Sequence, residues 1–557
     1  MPPRYSKELK KLVVSGFQKR QSRTSPCEAH CPAGNRIQAV ETLIKDGKPA
    51  EAHAVLLSRN PFPGVTGRVC THPCEMQCNR RKYDEGISIR ALERFAADTP
   101  VISKMVPCAD TGKKVAVIGS GPAGMTCAYF LRLMGHAVTV FEAGAVLGGV
   151  PRMSVPDFRL PKNVVDREAG HILSLGVSAH TNVSVGRDVE LSAIMEAFDA
   201  TVVAVGNQGE RVLNIPGKES LIPAVSFLVS SNLDRRSLSG KNVVVLGGGG
   251  VAFDCAFTAK RLGAASVSLV FPEGPDAIKA PEEEVAQAAA EGIALHASYL
   301  AGGVENGVVK ASGLEEFSFS ASGELIAKFR EGDTLALPAD MVICASGLLP
   351  ATDFLKDLAL EKTARGHLVV NEFQETSVSG LFAAGDIVTG PATVASAVGS
   401  GRKAAIGVHC RLAGLDSFPE VRFEEKEDGT LGLVMAGKAF NQEQHVVQFE
   451  EIENPSYHEH APRQKTATYA QTHLLPFEEI DLGFSAEQAQ AEAARCMHCG
   501  HCIDCGTCVE RCPNYILERD ADGPFVRYPE ECWHCACCRI GCPTGAIAIE
   551  FPITMLV

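Results

Sequence analysis

Apolar residues in this chain fall into short continuous blocks, and glycine ends most of them. Val115-Ala116-Val117-Ile118 and the run from Asn242 to Leu246 are aliphatic and β-branched. That is the pattern of strands covered on both faces in a parallel sheet. Each block leads through a glycine turn into a helical stretch, Met125 to Gly135 in one case and onward to about Leu262 in the other. A second strand follows each helix, over Val138 to Phe141 and over Val267 to Phe271. Two strand–turn–helix–strand units are therefore predicted. Between residues 413 and 485 the periodicity fades into a linker whose local pattern is one hairpin around Gly429. No apolar run approaches the ~18 residues that a spanning helix needs. The first residues show no apolar export core, so no export signal is expected.

The turns carry chemistry. Gly119-Ser120-Gly121-Pro122-Ala123-Gly124 has G-x-G-x-x-G between strand and helix, and Glu142 ends the next strand. In that setting the first glycine makes the turn, the second admits a pyrophosphate and the third lets helix close on strand. Helix amides hold the phosphates, and the acid binds adenosine ribose hydroxyls. Gly247-Gly248-Gly249-Gly250-Val251-Ala252 fits G-x-G-x-x-A in the second unit. Two dinucleotide sites in one chain point to a flavoprotein reductase of the two-dinucleotide class.

A length of 557 residues allows three or more domains. The composition, 45% apolar with mean hydropathy near zero, is that of a globular protein. A net charge of −13 argues against a nucleic-acid partner. The first 23 residues break that balance with Arg4, Lys7, Lys10, Lys11, Lys19, Arg20 and Arg23 against Glu8. They are read as a solvated helix face, with a docking arm for an acidic partner as the alternative.

The 21 cysteines change the picture most. Cys502-x2-Cys505-x2-Cys508-x3-Cys512-Pro513 recurs as Cys532-x2-Cys535-x2-Cys538-x3-Cys542-Pro543. This is the run of a two-cluster bacterial ferredoxin, in which the fourth cysteine of each run ligates the other cluster. Cys502, Cys505, Cys508 and Cys542 are expected around one [4Fe–4S] centre, and Cys532, Cys535, Cys538 and Cys512 around the second. A zinc ribbon would want two pairs of ligands, not this interleaving. Cys537 lies off the pattern as a spare thiol. Cys108, Cys127, Cys255, Cys344 and Cys410 stand in apolar surroundings as small hydrophobes. His498, His501 and His534 are read as surface residues, with tuning of a cluster by charge as the alternative. So many cluster spacings require a reducing compartment, hence a cytoplasmic location.

Further motifs carry a family resemblance over about residues 25 to 410. They are Gly67-Arg68-Val69-Cys70-x3-Cys74-Glu75-x2-Cys78, Val155-Pro156-Asp157-Phe158-Arg159-Leu160-Pro161-Lys162, the stretch Gly247 to Asp254, and Gly380-Leu381-Phe382-Ala383-Ala384-Gly385-Asp386. The chain resembles the small subunit of bacterial glutamate synthase. It is similar also to the N-terminal half of dihydropyrimidine dehydrogenase and to the large subunit of NADH-dependent ferredoxin:NADP oxidoreductase. The resemblance implies FAD, with Asp386 at its ribitol, Gly390 to Val394 (Thr393 among them) near its ring, and Gly149 and Arg159 among further cofactor contacts. The family lacks the redox-active cysteine pair of disulfide reductases, and so does this chain, so electrons should leave through clusters. NADPH-using relatives carry an aromatic residue and two arginines after the second-unit strand. This chain has Phe271-Pro272-Glu273, which favours NADH, although Lys279 or Arg261 could supply positive charge. Gly250 replaces the family's asparagine at the helix start.

The resemblance also implies two N-terminal [4Fe–4S] clusters. Cys27-x3-Cys31 and Cys70, Cys74 and Cys78 leave one of them two ligands short. Ala491 to Gly500 resembles the missing N-terminal motif, and its Cys496 and Cys499 are surplus to the ferredoxin clusters. The expected sets are then Cys27, Cys78, Cys496 and Cys499, and Cys31, Cys70, Cys74 and Glu93. The alternatives are ordinary thiols for Cys496 and Cys499 and a solvated residue for Glu93.

The expected architecture is multidomain. A helical iron–sulfur domain (1–110) precedes an FAD domain (111–230 and 345–412) interrupted by a nicotinamide domain (231–344), both Rossmann-like α/β. The linker (413–485) and an α+β ferredoxin domain (486–557) follow. No side-chain acid or base is needed, because cofactors do the redox work. The function read here is an NAD(P)H-linked FAD and iron–sulfur oxidoreductase subunit. It would exchange electrons with ferredoxin or with a catalytic partner such as a 2-oxoacid or aldehyde oxidoreductase. A non-catalytic electron wire and a part of a bifurcating complex are the alternatives.

Overall fold

The computed structural model describes residues 17–19, 23–101, 104–278, 280–319, 325–437, 445–468, 477–520 and 523–549. Two five-stranded parallel sheets form its centre. In the first, the order is Leu381–Ala383, Ala200–Val203, Lys114–Ile118, Ala137–Phe141 and Ser178–His180. In the second it is Ala294–Ala297, Ser266–Phe271, Asn242–Leu246, Met341–Cys344 and Leu221–Pro223. The aliphatic run of each unit lies in the interior of its sheet. Val117 pairs with Val140 on one side and Val202 on the other, and all three are fully buried. Along the chain, the second sheet lies between Ala200–Val203 and Leu381–Ala383 of the first. An antiparallel meander, Tyr299–Glu305, Val308–Phe319 and Leu325–Pro338, is attached to the second sheet.

The glycine loops fold as their spacing demands. Gly119 has φ of +101°, a left-handed backbone that other residues resist. A β-carbon on Gly124 would meet the Gly119 carbonyl oxygen at 2.0 Å, so only glycine lets the helix Pro122–Leu133 start there. The helix Val394–Ala413 packs along Pro122–Leu133 and closes the first unit.

Helices Ile37–Lys45, Pro49–Leu57, Pro63–Val69 and Ile89–Asp98 precede the sheets, and the later helix Ala486–Ala494 packs against the first and last of these. Glu168, from the first sheet unit, caps this helical layer by accepting from the amides of Gly64 at 2.6 Å and Val65 at 3.2 Å.

Two expectations change. Described parts of the basic N-terminal stretch are strands, not a helix face. Phe17–Lys19 pairs antiparallel with Ile547–Ile549 near the other end of the chain. Arg23 is buried, pairs beside His445, and donates to the Gly545 carbonyl at 2.5 Å and to Glu451 at 3.0 Å. A buried guanidinium with these partners is a structural staple. Arg4, Lys7, Lys10, Lys11 and Arg20 lie outside the described residues.

The linker is also more ordered than its composition predicts. The hairpin around Gly429 forms as Glu420–Glu425 and Leu431–Ala436, and its second strand pairs with Met105–Val106. Residues 445–468 then strap the helical layer to the C-terminal module. Arg495 is the knot of that strap. It is 3% exposed and donates to Glu492 at 2.8 Å, Asp84 at 3.1 Å, the Glu85 carbonyl at 2.6 Å and the Ala461 carbonyl at 3.0 Å.

Candidate functional site

Around the first loop, Glu142 accepts from the Ser120 amide at 2.9 Å and hydroxyl at 2.6 Å, which fixes the acid at the strand end beside Gly121 and Pro122. Gly149 packs against Gly121, 2.8 Å from its Cα to an ideal β-carbon. Gly385 donates its amide to Ser400 at 2.9 Å and lies against Ala123. Asp386 follows, and burial pushes its carboxyl up to about 6 despite an amide from Ala392. Thr393 caps the long helix by accepting from Ser396 at 3.1 Å, with Val394 as its first residue. These residues converge on one cradle of backbone amides and a few carboxylates, with Gly121 open to space.

In the second unit, Gly247 turns the chain, Gly249 and Gly250 face open space at the helix start, and Val251 is exposed. Glu273 comes just after the strand end, its carbonyl accepting from Ser298 at 2.9 Å. Arg261 does not supply the positive charge considered above. Its guanidinium is buried, pairs with both oxygens of Glu291 at 2.8 and 2.9 Å and stacks on Phe158. Lys279 lies outside the described residues. Arg159 is likewise taken up by carboxylates, Asp254 at 3.0 Å and Glu284, so it clamps the two sheet units together and is not free for a phosphate.

The cysteines gather as four sets. Cys27, Cys78, Cys496 and Cys499 line one pocket, together with Gln38 and Glu41. Two of these cysteines lie more than four hundred residues from the other two. Cys31, Cys70, Cys74 and Glu93 feel one another's charge. Burial, then Glu93 and less strongly Cys31, push the Cys70 thiol up to about 12. Cys542, Cys502 and Cys505 reinforce burial in pushing Cys508 up to about 12. Cys512, Cys532, Cys535 and Cys538 line a second pocket beside the exposed Trp533. Among the described residues no three His, Cys, Asp or Glu side chains close to the separation that one metal ion needs. Eight of the cysteines stand around two pockets instead.

This donor set fits an iron–sulfur cage. Burial raises the thiols of Cys27, Cys31, Cys70, Cys74, Cys78, Cys496, Cys499, Cys508 and Cys538 above the ordinary range, and a cationic core would reverse that preference by binding thiolate. Glu93 is 9% exposed, not solvated. Its Oε1 accepts from Thr66 at 2.5 Å, Asn60 at 3.1 Å and Asn35 at 3.2 Å, and burial pushes it up to about 7. His498 is also no surface residue. It is 8% exposed, and burial pulls it down to about 4. Cys127, Cys255, Cys344 and Cys410 are buried, while Cys108 is half-buried.

Sequence reasoning missed Gln38 and Glu41. Glu41 is 2% exposed, burial pushes it up to about 8, and it lines the same pocket as Cys496, while Gln38 donates to the Cys499 carbonyl at 3.1 Å. The signal was present. Glu41 falls four residues after Ile37 and three before Ile44, on the apolar stripe of its helix.

The family model described as pyridine nucleotide-disulphide oxidoreductase matches residues 113–401. A model for dihydropyrimidine dehydrogenase domain II, 4Fe-4S cluster, matches 19–105, and a 4Fe-4S dicluster domain matches 501–547. The chain is 35% identical to the NADP(+)-dependent formate dehydrogenase subunit beta of Moorella thermoacetica, over 86% of this chain and 70% of that protein. It is 33% identical to the glutamate synthase [NADPH] small chain of Azospirillum brasilense, over 69% and 85%. It is 28% identical to the NADPH-Fe(3+) oxidoreductase subunit beta of Geobacter sulfurreducens, over 86% and 75%.

Proposed function

The chain belongs to the pyridine nucleotide-disulphide oxidoreductase family, and on that premise we propose that it is the NAD(P)H-oxidising, electron-distributing subunit of a larger redox complex. When bound, FAD would take a hydride from nicotinamide and pass single electrons to [4Fe–4S] clusters. The chain's own residues bind and place these groups. The N–H groups of Gly121, Ala123 and Gly124 would hold the flavin pyrophosphate at a helix N-terminus, Glu142 would take the adenosine ribose, and Asp386 would face the ribitol. Gly247, Gly249, Gly250 and Val251 receive the nicotinamide dinucleotide. We assign residues 111–230 and 345–412 to the flavin domain and 231–344 to the nicotinamide domain.

The four sets described above are assigned as four cluster sites. Cys27, Cys78, Cys496 and Cys499 hold a bridging cluster. Cys31, Cys70 and Cys74 hold another, with Glu93 as its oxygen ligand. Ferredoxin-type sites are completed by Cys502, Cys505, Cys508 and Cys542 and by Cys512, Cys532, Cys535 and Cys538. The observation that carries this reading is the single cavity shared by cysteines from both ends of the chain. It gives the flavin half and the ferredoxin half a common redox centre. Relatives named as beta subunits of a formate dehydrogenase and an Fe(3+) oxidoreductase support a partner chain that handles the second substrate. A reducing, cytoplasmic setting suits such thiols.

Anaerobically purified protein tests the reading. It should carry one FAD and about sixteen irons, four per cubane, and NAD(P)H should bleach its flavin. Iron near eight with intact ferredoxin signals would remove the N-terminal clusters, and a flavin that NAD(P)H never reduces would leave only an electron wire.

A further inference from the structure

The helix Val394–Ala413 runs between the first glycine loop and the segment that follows Cys31. Two glycines let it touch both. A β-carbon on Gly401 would meet the Ala123 carbonyl oxygen at 2.1 Å, and one on Gly399 would meet the Pro32 carbonyl oxygen at 2.1 Å. A single helix is therefore all that separates the flavin cradle from the Cys31 set.

Arg402 follows Gly401 and turns toward the cysteine side. Its Nη1 donates to the Ala33 carbonyl at 2.8 Å and, more weakly, to the Arg59 carbonyl at 3.3 Å. Its Nη2 lies 2.6 Å from where a Gly34 β-carbon would stand. Among the described residues no carboxylate comes within ion-pair distance of Arg402, nor of its neighbour Arg59. Exposed Arg36 adds a third cation close by. Burial and the Arg59 charge pull the Arg402 guanidinium down to about 10, so it stays charged at neutral pH, and Cys31 is the neighbour that opposes the shift. Enclosed cations are normally paired. This one is held only by carbonyl oxygens and faces a site whose ligands are three thiolates and a carboxylate.

We propose that Arg402 is the fixed counter-charge of the Cys31–Cys70–Cys74–Glu93 centre, a positioning residue that raises the reduction potential of that centre on the flavin side of the cluster path. Adding an electron makes the centre more negative, and a nearby cation stabilises the reduced form. Arg402 forms no bond to the electron carriers and moves no proton. The inference rests on the ligand assignment proposed above.

The test uses the full-length protein, purified anaerobically, with Arg402→Met and Arg402→Lys. Iron and FAD are quantified, and each centre is titrated electrochemically with EPR detection. Arg402→Met is expected to keep its iron and FAD and to shift the reduction equilibrium of one centre at least tenfold toward the oxidised form. That is about 59 mV more negative for a one-electron couple. Arg402→Lys should recover most of the shift. An unchanged potential with full cofactor content would overturn the proposal. So would FAD loss with unchanged cluster potentials, which would make Arg402 a partner of the flavin phosphates. If Arg402→Met does not fold, Arg59→Met samples the same field and should move the same centre in the same direction by less; no movement there also overturns it. Cys31→Ser separates the two readings. Loss of about four irons supports the ligand assignment independently of Arg402, and full iron retention refutes the assignment itself.

Discussion

Replacing Cys496 and Cys499 together by serine probes the cavity they share with Cys27 and Cys78. One cluster of four should disappear, about four of sixteen irons. The C-terminal module should nevertheless stay in place. The Arg495 bonds to Glu492, Asp84, Glu85 and Ala461 do not involve the mutated sulfurs, and neither does the pairing of Phe17–Lys19 with Ile547–Ile549. A cross-link closing a loop of this length would stabilise by about 6 kcal/mol in the chain-entropy model. The strap and the terminal strands already close the same loop, so the measured loss should fall well below that figure. Stopped-flow reduction by NAD(P)H should bleach the flavin at the wild-type rate, while EPR finds the ferredoxin clusters unreduced on the same timescale. Unaltered iron together with normal reduction of those clusters would refute the bridge and make the two cysteines structural.

Gly124→Ala should yield protein depleted in FAD, because its β-carbon would lie 2.0 Å from the Gly119 carbonyl oxygen, and a full FAD complement would contradict the loop assignment. NADH should reduce the flavin with higher kcat/KM than NADPH, and Pro272→Arg with Glu273→Arg should narrow the gap. A wild-type preference for NADPH of tenfold, ~1.4 kcal/mol, would place the specificity elsewhere. Arg495→Ala removes the ion-pair partner of the fully buried Glu492, leaving it only the amides of Ser88 and Gln464, and should cost about 3 kcal/mol, read as a lowered denaturation midpoint; a change within error would show that the two amides suffice. Buried His136, 3.0 Å from His409, is pulled down to about 4 by burial and that neighbour, so the fold holds it neutral while the unfolded chain protonates it near 6.5. Its contribution is whole above pH 6.5 and is lost as pH falls toward 4, by up to ~1.4 kcal/mol per unit; His136→Gln should flatten that slope in denaturation midpoints, and an unchanged slope would assign it to other groups.

What the sequence made legible follows from local chemistry. The strand Asn242–Leu246 forms over the residues its aliphatic run marks, and both glycine loops turn where their spacing requires. The ferredoxin cysteines gather as their interleaved order implies. Long-range partners were harder to read. Nothing local in Arg23 announces that it will bury itself beside Gly545, because a short basic strand and a solvated helix turn share one composition. The strap over 445–468 is mostly polar, and its few apolar residues, Val447 and Ile452, find Met497 only once distant segments have come together. Sequence offers Arg261 as a spare cation and Arg159 as a cofactor contact because it does not show the carboxylates Glu291, Asp254 and Glu284 that fold onto them. Asn35, Asn60 and Thr66 come together on Glu93 only through the helical layer.

The pairing of Phe17–Lys19 with Ile547–Ile549 also sets a timetable. At about 5–20 residues per second on the ribosome, the N-terminal strand waits roughly half a minute to two minutes for its mate. During that wait Cys27 and Cys78 stand without Cys496 and Cys499, as an incomplete set of thiols open to oxidation or to the wrong metal. Faster translation, or slower oxygen entry during growth, should therefore raise the yield of fully loaded protein more than added iron does. On the bridging assignment proposed above, the vulnerable moment of this molecule would lie in its biosynthesis, before any nicotinamide is met.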